Sequence, residues 1–374
     1  MRIAVNTRLL LPGRLEGIGR FTNETLKILV ADHPEVEWIF LFDRPFDQQF
    51  IFGPNVTPVV VWPQARHPLL WTLWFGYMVP RVLKKHNVDL FLSPDGYNSL
   101  NAEMPTVDVI HDLNFEHNPD DVPGWAGRYL RSHFPKFAKA SKRVATVSEY
   151  SKRDIEKTYG IDSSKIDVVY NGVDARFAPS SIDQRVNIRN REAGDKPFFL
   201  YVGSINPRKN IERMLQAFDQ FKSENTSREH KLIVAGAKMV WTDKMESTFD
   251  SMRFKSDVLF KGKVSDTTLG ELLGAAEALV YVSYFEGFGI PVIEAFQAEL
   301  PVICSSVTSL PEVAGDAALL IDPYDVNSIT NAMASIANNP KLRLDLIQKG
   351  NARNGVFTWQ RTADLLWQSI QKAL

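Results

Sequence analysis

Short apolar runs alternate with longer amphipathic stretches along the whole chain. In the first third, Ile3-Ala-Val reads as a strand and Arg20 to Val30 as a helix. Trp38-Ile-Phe-Leu-Phe42, Val59-Val-Val-Trp62, Val88-Asp-Leu-Phe-Leu92, Thr106-Val-Asp-Val-Ile110 and Arg143-Val-Ala-Thr-Val147 follow as strands. A second series runs Phe198-Phe-Leu-Tyr-Val202, Lys231-Leu-Ile-Val-Ala235, Val258-Leu-Phe260, Leu279-Val-Tyr-Val282 and Pro301-Val-Ile-Cys304. Runs this apolar are expected of strands covered on both faces, and their alternation with helices predicts mostly parallel, doubly wound sheets. Between the two series, Val173 to Lys196 is polar and weakly periodic, which places a domain boundary there. A last helix, about Gln360 to Leu374, carries Leu365, Leu366, Trp367 and Ile370 as an apolar stripe.

Composition narrows the class. The 374 residues suffice for two domains, and 44% of them are hydrophobic, as in packed globular proteins. Lys and Arg number 43 against 44 Asp and Glu, so no global basic field exists to bind nucleic acid. The single cysteine, Cys304, excludes an intrachain disulfide and fits a reducing compartment. Met1-Arg-Ile-Ala-Val-Asn6 is too short an apolar run for a signal peptide, and nothing approaches the ~20 apolar residues of a membrane span. The expected location is the cytoplasm, at the inner face of the membrane.

The chemistry concentrates in Tyr284-Phe-Glu-Gly-Phe-Gly-Ile-Pro-Val-Ile-Glu-Ala-Phe296. An apolar strand precedes it, and Pro291 suits a first helical turn, so it reads as strand, loop and helix. Gly287 and Gly289 let a ligand approach the backbone, and the N–H groups of Phe288, Gly289 and Ile290 stand at a helix N-terminus, ready for phosphate or sugar oxygens. A carboxylate accepts two hydrogen bonds in one plane, which suits a vicinal diol. Glu294, read as lying in the first helical turn, could hold ribose hydroxyls, and Glu286, on the loop, those of a sugar. Two alternatives stay open: stabilisation of Glu294 by the helix dipole alone, and a glycosidase carboxylate pair.

In Tyr201-Val-Gly-Ser-Ile-Asn-Pro-Arg-Lys-Asn210, Arg208 and Lys209 precede a helix beginning near Ile211. A helix N-terminus disfavours cations unless an anion offsets them, and a diphosphate is the natural candidate. In the first series Gly17-Ile-Gly-Arg-Phe21 opens a helix on the loop after the first strand, an incomplete dinucleotide fingerprint because position 22 is Thr. His111 and Asp112 follow a strand at the edge where doubly wound sheets bind ligands. From Val122 to Ser148 basic residues interleave with Trp125, Tyr129, Phe134 and Phe137, and a second aromatic run is Trp71-Thr-Leu-Trp-Phe-Gly-Tyr77. These suit a peripheral contact with an anionic membrane or a lipid-phosphate acceptor, or else a solvated face over the sheet.

On these residues the chain resembles retaining glycosyltransferases of family 4 over nearly its whole length. The Glu-x7-Glu segment from Glu286 to Glu294 is the most specific part. Tyr201 to Asn210, Tyr170-Asn-Gly-Val-Asp174, Leu310-Pro-Glu-Val-Ala-Gly-Asp316 and His111-Asp112 support it. The resemblance implies the α/β GT-B fold, two Rossmann-like doubly wound domains facing a central cleft. Residues 1–174 would form the acceptor-side domain, 175–194 a linker, 195–357 the nucleotide-sugar domain, and 358–374 a helix returning to the first.

The resemblance also implies roles. Glu294 would bind the donor ribose and Glu286 the donor sugar, while Arg208 and Lys209 neutralise the leaving diphosphate. Gly17 and Gly19 would let the first domain close over that diphosphate, His111 would approach the anomeric carbon, and Phe288, Gly289 and Ile290 would supply N–H groups. Ser204 stands where family members often carry arginine. Glu299-Leu300 replaces a usual glycine, so that turn is expected to rearrange, because glutamate disfavours a left-handed cap.

The implied reaction transfers a hexose from a nucleotide diphosphate sugar to a glycan or lipid-linked acceptor, without metal or cofactor. The similarity to bacterial mannosyltransferases of surface polysaccharide assembly favours GDP-mannose. A nucleotide-sugar epimerase of the same fold and a non-catalytic nucleotide-sugar-binding subunit are the rival readings.

Overall fold

The computed structural model describes residues 1–374 except 14 and 16, and it divides into two compact units. The first comprises Met1–Gly172 and Thr358–Leu374, the second Val173–Phe357.

The first unit holds β1 (Arg2–Asn6), β2 (Glu37–Phe42), β3 (Val56–Val60), β4 (Leu90–Ser93), β5 (Thr106–Val109), β6 (Arg143–Thr146) and β7 (Ile166–Val168). They form one sheet in the order β3-β2-β1-β4-β5-β6-β7. The second unit holds β8 (Phe198–Val202), β9 (Lys231–Ala235), β10 (Val258–Gly262), β11 (Ala278–Tyr281), β12 (Val302–Ser305) and β13 (Ala318–Ile321), in the order β10-β9-β8-β11-β12-β13. Every strand pairing among the described residues is parallel. Inner strands such as β4, β5, β8, β11 and β12 are buried throughout, because helices cover both faces. In each sheet the order reverses beside its first strand, at β1/β4 and at β8/β11, and there the carboxyl ends open a crevice.

The two strands that the apolar pattern missed, β7 and β13, are both edge strands. Ile166-Asp-Val168 is too short to show a period, and Ala318-Leu-Leu-Ile321 exposes its middle residues. Residues 175–194, expected to be a linker, carry structure of their own. The helix Ile182–Ala193 begins with a capping box, Ser181 with Gln184, and ends at the left-handed Gly194. It packs on the helix Asp266–Ala275 within the second unit. Its two buried residues, Ile188 and Ala193, make too narrow a stripe to register as helical periodicity.

The terminal helix Trp359–Ala373 packs on the first unit through Ala363, Leu366 and Ile370. Trp367 stacks on His33 at 3.6 Å, and the Thr362 hydroxyl donates to the Tyr170 carbonyl at 2.7 Å. Gly172 fits beneath this helix because a Cβ there would lie 2.3 Å from the Trp359 nitrogen.

Candidate active site

In the second unit the site grows from the two loops at the β8/β11 reversal. After β8 the chain passes Gly203, at φ +141°, and Gly236 crosses it so closely that a Cβ at 236 would meet the Gly203 oxygen at 1.8 Å. A tight turn, Pro207–Lys209, then precedes the helix Ile211–Glu224. Asn210 joins them in the left-handed region, which Asn tolerates better than most side chains, and its amide donates to the carbonyls of Val282 and Pro323 at 3.0 and 2.7 Å. That buried side chain ties the loop after β8 to the end of β11. The backbone bond from Tyr284 N–H to the Arg208 carbonyl, 2.8 Å, ties it again.

So held, Arg208 and Lys209 reach the same acid. Lys209 Nζ lies 2.5 Å from Glu286 Oε1 and 3.0 Å from the Tyr281 hydroxyl, which itself donates to Glu286 Oε1 at 2.8 Å. The Arg208 guanidinium donates to Glu286 Oε2 at 3.4 Å and to the Phe285 carbonyl at 3.1 Å. Glu286 and Lys209 are each 6% exposed. Burial alone would push the Glu286 carboxyl up; Lys209 and then Arg208 outweigh it and hold the group at about 2. The site therefore contains a buried carboxylate that is ionised at neutral pH. This carboxylate offsets one of the two cationic charges, so a bound diphosphate would meet a cluster organised by Glu286 that keeps one net positive charge.

Glu286 N–H donates to Thr308 Oγ1 at 3.2 Å, and the Ser309 hydroxyl spans the Glu286 and Phe288 carbonyls at 2.9 and 3.0 Å. Gly289 caps the helix Ile290–Gln297 at φ +103°, and a Cβ there would meet Leu310 Cδ2 at 2.6 Å. Phe288 is buried against Phe357, with ring centroids 5.5 Å apart. Glu294 proves to be the fifth residue of that helix, in its second turn rather than its first. The dipole acts mainly over the first turn, so it is a poor reason for an acid only 5% exposed. Ser204 lies half-buried on the loop after β8, its hydroxyl accepting from Asn206 at 3.3 Å.

Glu299 does not rearrange its turn. It takes φ +54°, with Glu299 N–H on the Phe296 carbonyl and Leu300 N–H on that of Ala295. This is a Schellman cap with glutamate in the glycine position.

In the first unit Gly17 caps the helix Ile18–Asp32 at φ +44°, and Gly19 lets that helix approach the Leu9 carbonyl, 2.9 Å from where a Cβ would sit. His111 follows β5, edge-on to Phe21 at 5.0 Å, and its Nε2 bonds the Pro94 carbonyl at 2.8 Å. A carbonyl needs a donor, so Nε2 carries the proton. Nδ1 is then the ring's acceptor, and burial lowers the imidazole's basicity.

Apolar patterning overlooked a second buried pair, at the β1/β4 reversal. Arg8 Nε meets Asp95 Oδ2 at 2.6 Å, and its guanidinium lies 4.2 Å from the centre of the Tyr97 ring. Asn6 donates to Asp95 Oδ1 at 2.8 Å. Tyr281 was hidden differently, inside an apolar run that read as core. The available signal was a charged residue two places past an apolar strand, which fits both Arg8 and Asp95, but only the strand order makes those strands neighbours.

Two doubly wound parallel sheets, each with a buried cation–carboxylate pair where its strand order reverses, give the chain the two-domain GT-B architecture. Residues 15–177 match the model of Glycosyltransferase Family 4, and residues 183–353 that of Glycosyl transferases group 1. The chain is 29% identical, over 92% of its length and 93% of the relative's, to O-antigen chain mannosyltransferase B of Escherichia coli. It is 30% identical to O-antigen chain mannosyltransferase RfbU of Salmonella typhimurium, over 77% of this chain and 76% of that protein. Among solved structures, sucrose-phosphate synthase of Thermosynechococcus elongatus shares the fold, with a TM-score of 0.80 at 18% identity over 100% of this chain and 98% of that one. The chain belongs to this glycosyltransferase family, and it is a hexosyltransferase.

Proposed function

We propose that the enzyme transfers mannose from GDP-mannose to a hydroxyl of a glycan or lipid-linked acceptor, with retention of anomeric configuration, in cell-surface polysaccharide assembly. The observation that carries this reading is the buried, ionised Glu286 between Lys209 and Arg208 at the β8/β11 reversal. Relatives named as O-antigen mannosyltransferases support the choice of sugar.

The leaving diphosphate gains negative charge as the glycosidic bond breaks. Arg208, Lys209 and the N-terminal amides of the helix Ile290–Gln297 are the groups assigned to stabilise it, without a metal ion or cofactor. Glu286, already anionic and oriented, accepts hydrogen bonds from the sugar hydroxyls, and Glu294 accepts those of the ribose. Ser204, Gly17 and Gly19 belong to the same donor assignment, and neutral His111 is assigned to the transferred sugar. Retention uses a donor phosphate oxygen to take the acceptor's proton, so the reading requires no side-chain base.

No described helix is long and apolar enough to cross a membrane. Access to a lipid-linked acceptor is assigned to peripheral contact of the first unit with the inner membrane face, by the basic and aromatic residues between Trp71 and Arg143.

The test is thermal stabilisation by GDP-, UDP-, ADP- and dTDP-sugars, with Glu294→Ala as control. Stabilisation by GDP-mannose in the native protein, lost in the variant, is expected. A shift with UDP-sugars alone would overturn the donor assignment. Epimerised donor appearing without an acceptor would overturn the transfer.

A further inference from the structure

The first unit carries a second pocket, at the opposite edge of its sheet from His111. Thr106 begins β5, Lys142 immediately precedes β6 and Lys165 immediately precedes β7. All three line a cavity of about 430 Å³ together with Lys139, Asn98 and Ser99. His111 lies a strand's length away, roughly 15 Å at 3.3 Å per residue.

The charge in this pocket is one-sided. Among the described residues no carboxylate lies within 4.0 Å of Lys139, Lys142 or Lys165. The nearby Asp167 is already held by Arg143 at 2.7 Å and by Lys372 at 2.7 Å. Asp108 lies fully buried under Ser141, whose hydroxyl donates to it at 2.8 Å, and burial raises its carboxyl well above the usual range. It faces the Ser141 hydroxyl beneath the pocket and makes no ion pair with a lysine among the described residues. Burial and the neighbouring Arg143 and Lys142 cations disfavour the charged form of Lys165 more than Asp108 favours it.

A helix C-terminus explains one of these lysines, since Lys165 Nζ donates to the Lys139 carbonyl at 2.7 Å, in the last turn of the helix Gly124–Ala140. The same helix end favours Lys139, which lies in its last turn, and leaves the Lys142 ammonium group, two residues beyond the helix, without such an explanation. The floor is polar as well. Asn98 donates to Thr106 Oγ1 and Ser141 Oγ at 2.8 and 3.0 Å, and the buried Ser99 hydroxyl has no partner within the protein.

We propose that this pocket binds a phosphate or diphosphate group, with Lys139, Lys142 and Lys165 as its cationic wall. Ammonium groups recognise phosphate as point charges, without a planar fork. The source of the phosphate is either a soluble phosphate or a lipid headgroup. The second is physically accessible, because Leu100, 45% exposed, forms part of the rim. Asn101 beside it bonds the Gly76 carbonyl at 2.7 Å, next to the exposed Leu73 and Tyr77.

Inorganic pyrophosphate titrated at low salt, followed by calorimetry, tests the site. The variants are Lys139→Gln/Lys142→Gln/Lys165→Gln, the single Lys142→Gln in case the triple variant misfolds, and a control removing the exposed Lys27, Lys157 and Lys341. Pyrophosphate bound in the second unit is common to all of them and cancels in the comparison. Loss of one binding event, or at least tenfold weaker binding, in the triple variant but not in the control supports a soluble phosphate ligand; a several-fold loss is expected for Lys142→Gln. A second arm measures sedimentation with phosphatidylglycerol and with phosphatidylcholine vesicles. A tenfold loss of phosphatidylglycerol binding in the triple variant, without any difference toward pyrophosphate, assigns the pocket to a lipid headgroup. Equal binding of pyrophosphate and of both vesicles by the native protein, Lys142→Gln and the control overturns the proposal.

Discussion

Replacing Lys209 by methionine removes the closer of the two cations that keep Glu286 ionised. Methionine fills similar space without charge, so the Glu286 carboxylate stays buried with Arg208 alone, 3.4 Å away. In the native protein the fall of this carboxyl from 4.5 to about 2 corresponds to about 3 kcal/mol of stability at neutral pH. Because the folded-state value lies below the unfolded one, this contribution is complete above about pH 4.5 and is lost as pH falls toward 2. Lys209→Met should therefore cost about 3 kcal/mol or more at pH 7.5, in the range for breaking a buried ion pair. The difference from the native protein should shrink to about 1 kcal/mol near pH 3, where protonation removes much of the native advantage. Adding Glu286→Gln should recover more than half of the loss at pH 7.5, since no charge is then left unpaired. Hydrogen exchange of β8 and β11 across a urea series reads the second unit separately from the first. A loss equal at pH 7.5 and pH 3, or no recovery in the double variant, would refute the electrostatic reasoning.

Four further outcomes are expected. Glu299→Gly should raise the stability of the second unit by about 1 kcal/mol in urea denaturation, because glutamate is held in the left-handed region there. Gly236→Ala should cost roughly 3 kcal/mol or more and weaken nucleotide-sugar binding, since its methyl would collide with the Gly203 carbonyl that shapes the loop after β8. Arg8→Met should destabilise the first unit by roughly 3 kcal/mol, leaving Asp95 buried without its cation, and Asp95→Asn in the same chain should restore part of it. Burial keeps His111 less basic in the folded state than its ordinary 6.5, so the unfolded chain binds the extra proton. Stability should then fall as pH drops through and below 6.5, and His111→Gln should flatten that part of the profile measured by thermal denaturation.

The local chemistry of this protein is written in short-range order. Apolar runs of three to five residues mark buried strands because both faces of such a strand must avoid water, and ten of the thirteen described strands lie in runs read this way, with β7 and β13 missed and β3 shifted toward Val56. The Glu286–Glu294 segment and Arg208-Lys209 announce themselves because glycine, proline and charge beside an apolar strand have few structural uses. What remained hidden depends on which strands become neighbours. Lys209 and Glu286 are 77 residues apart and Arg8 and Asp95 are 87 apart, and each pair meets only because the strand order reverses between them. The sequence alone could assign Arg208 and Lys209 to an outside anion. The fold shows that an internal carboxylate already holds them, since desolvation makes an unpaired buried charge too costly to keep. The same principle separates Glu299 from expectation. Its intrinsic preference is local, but the packing of Leu300 and the two capping hydrogen bonds are tertiary gains, and together they exceed the one or two kcal/mol, roughly, that a left-handed glutamate costs.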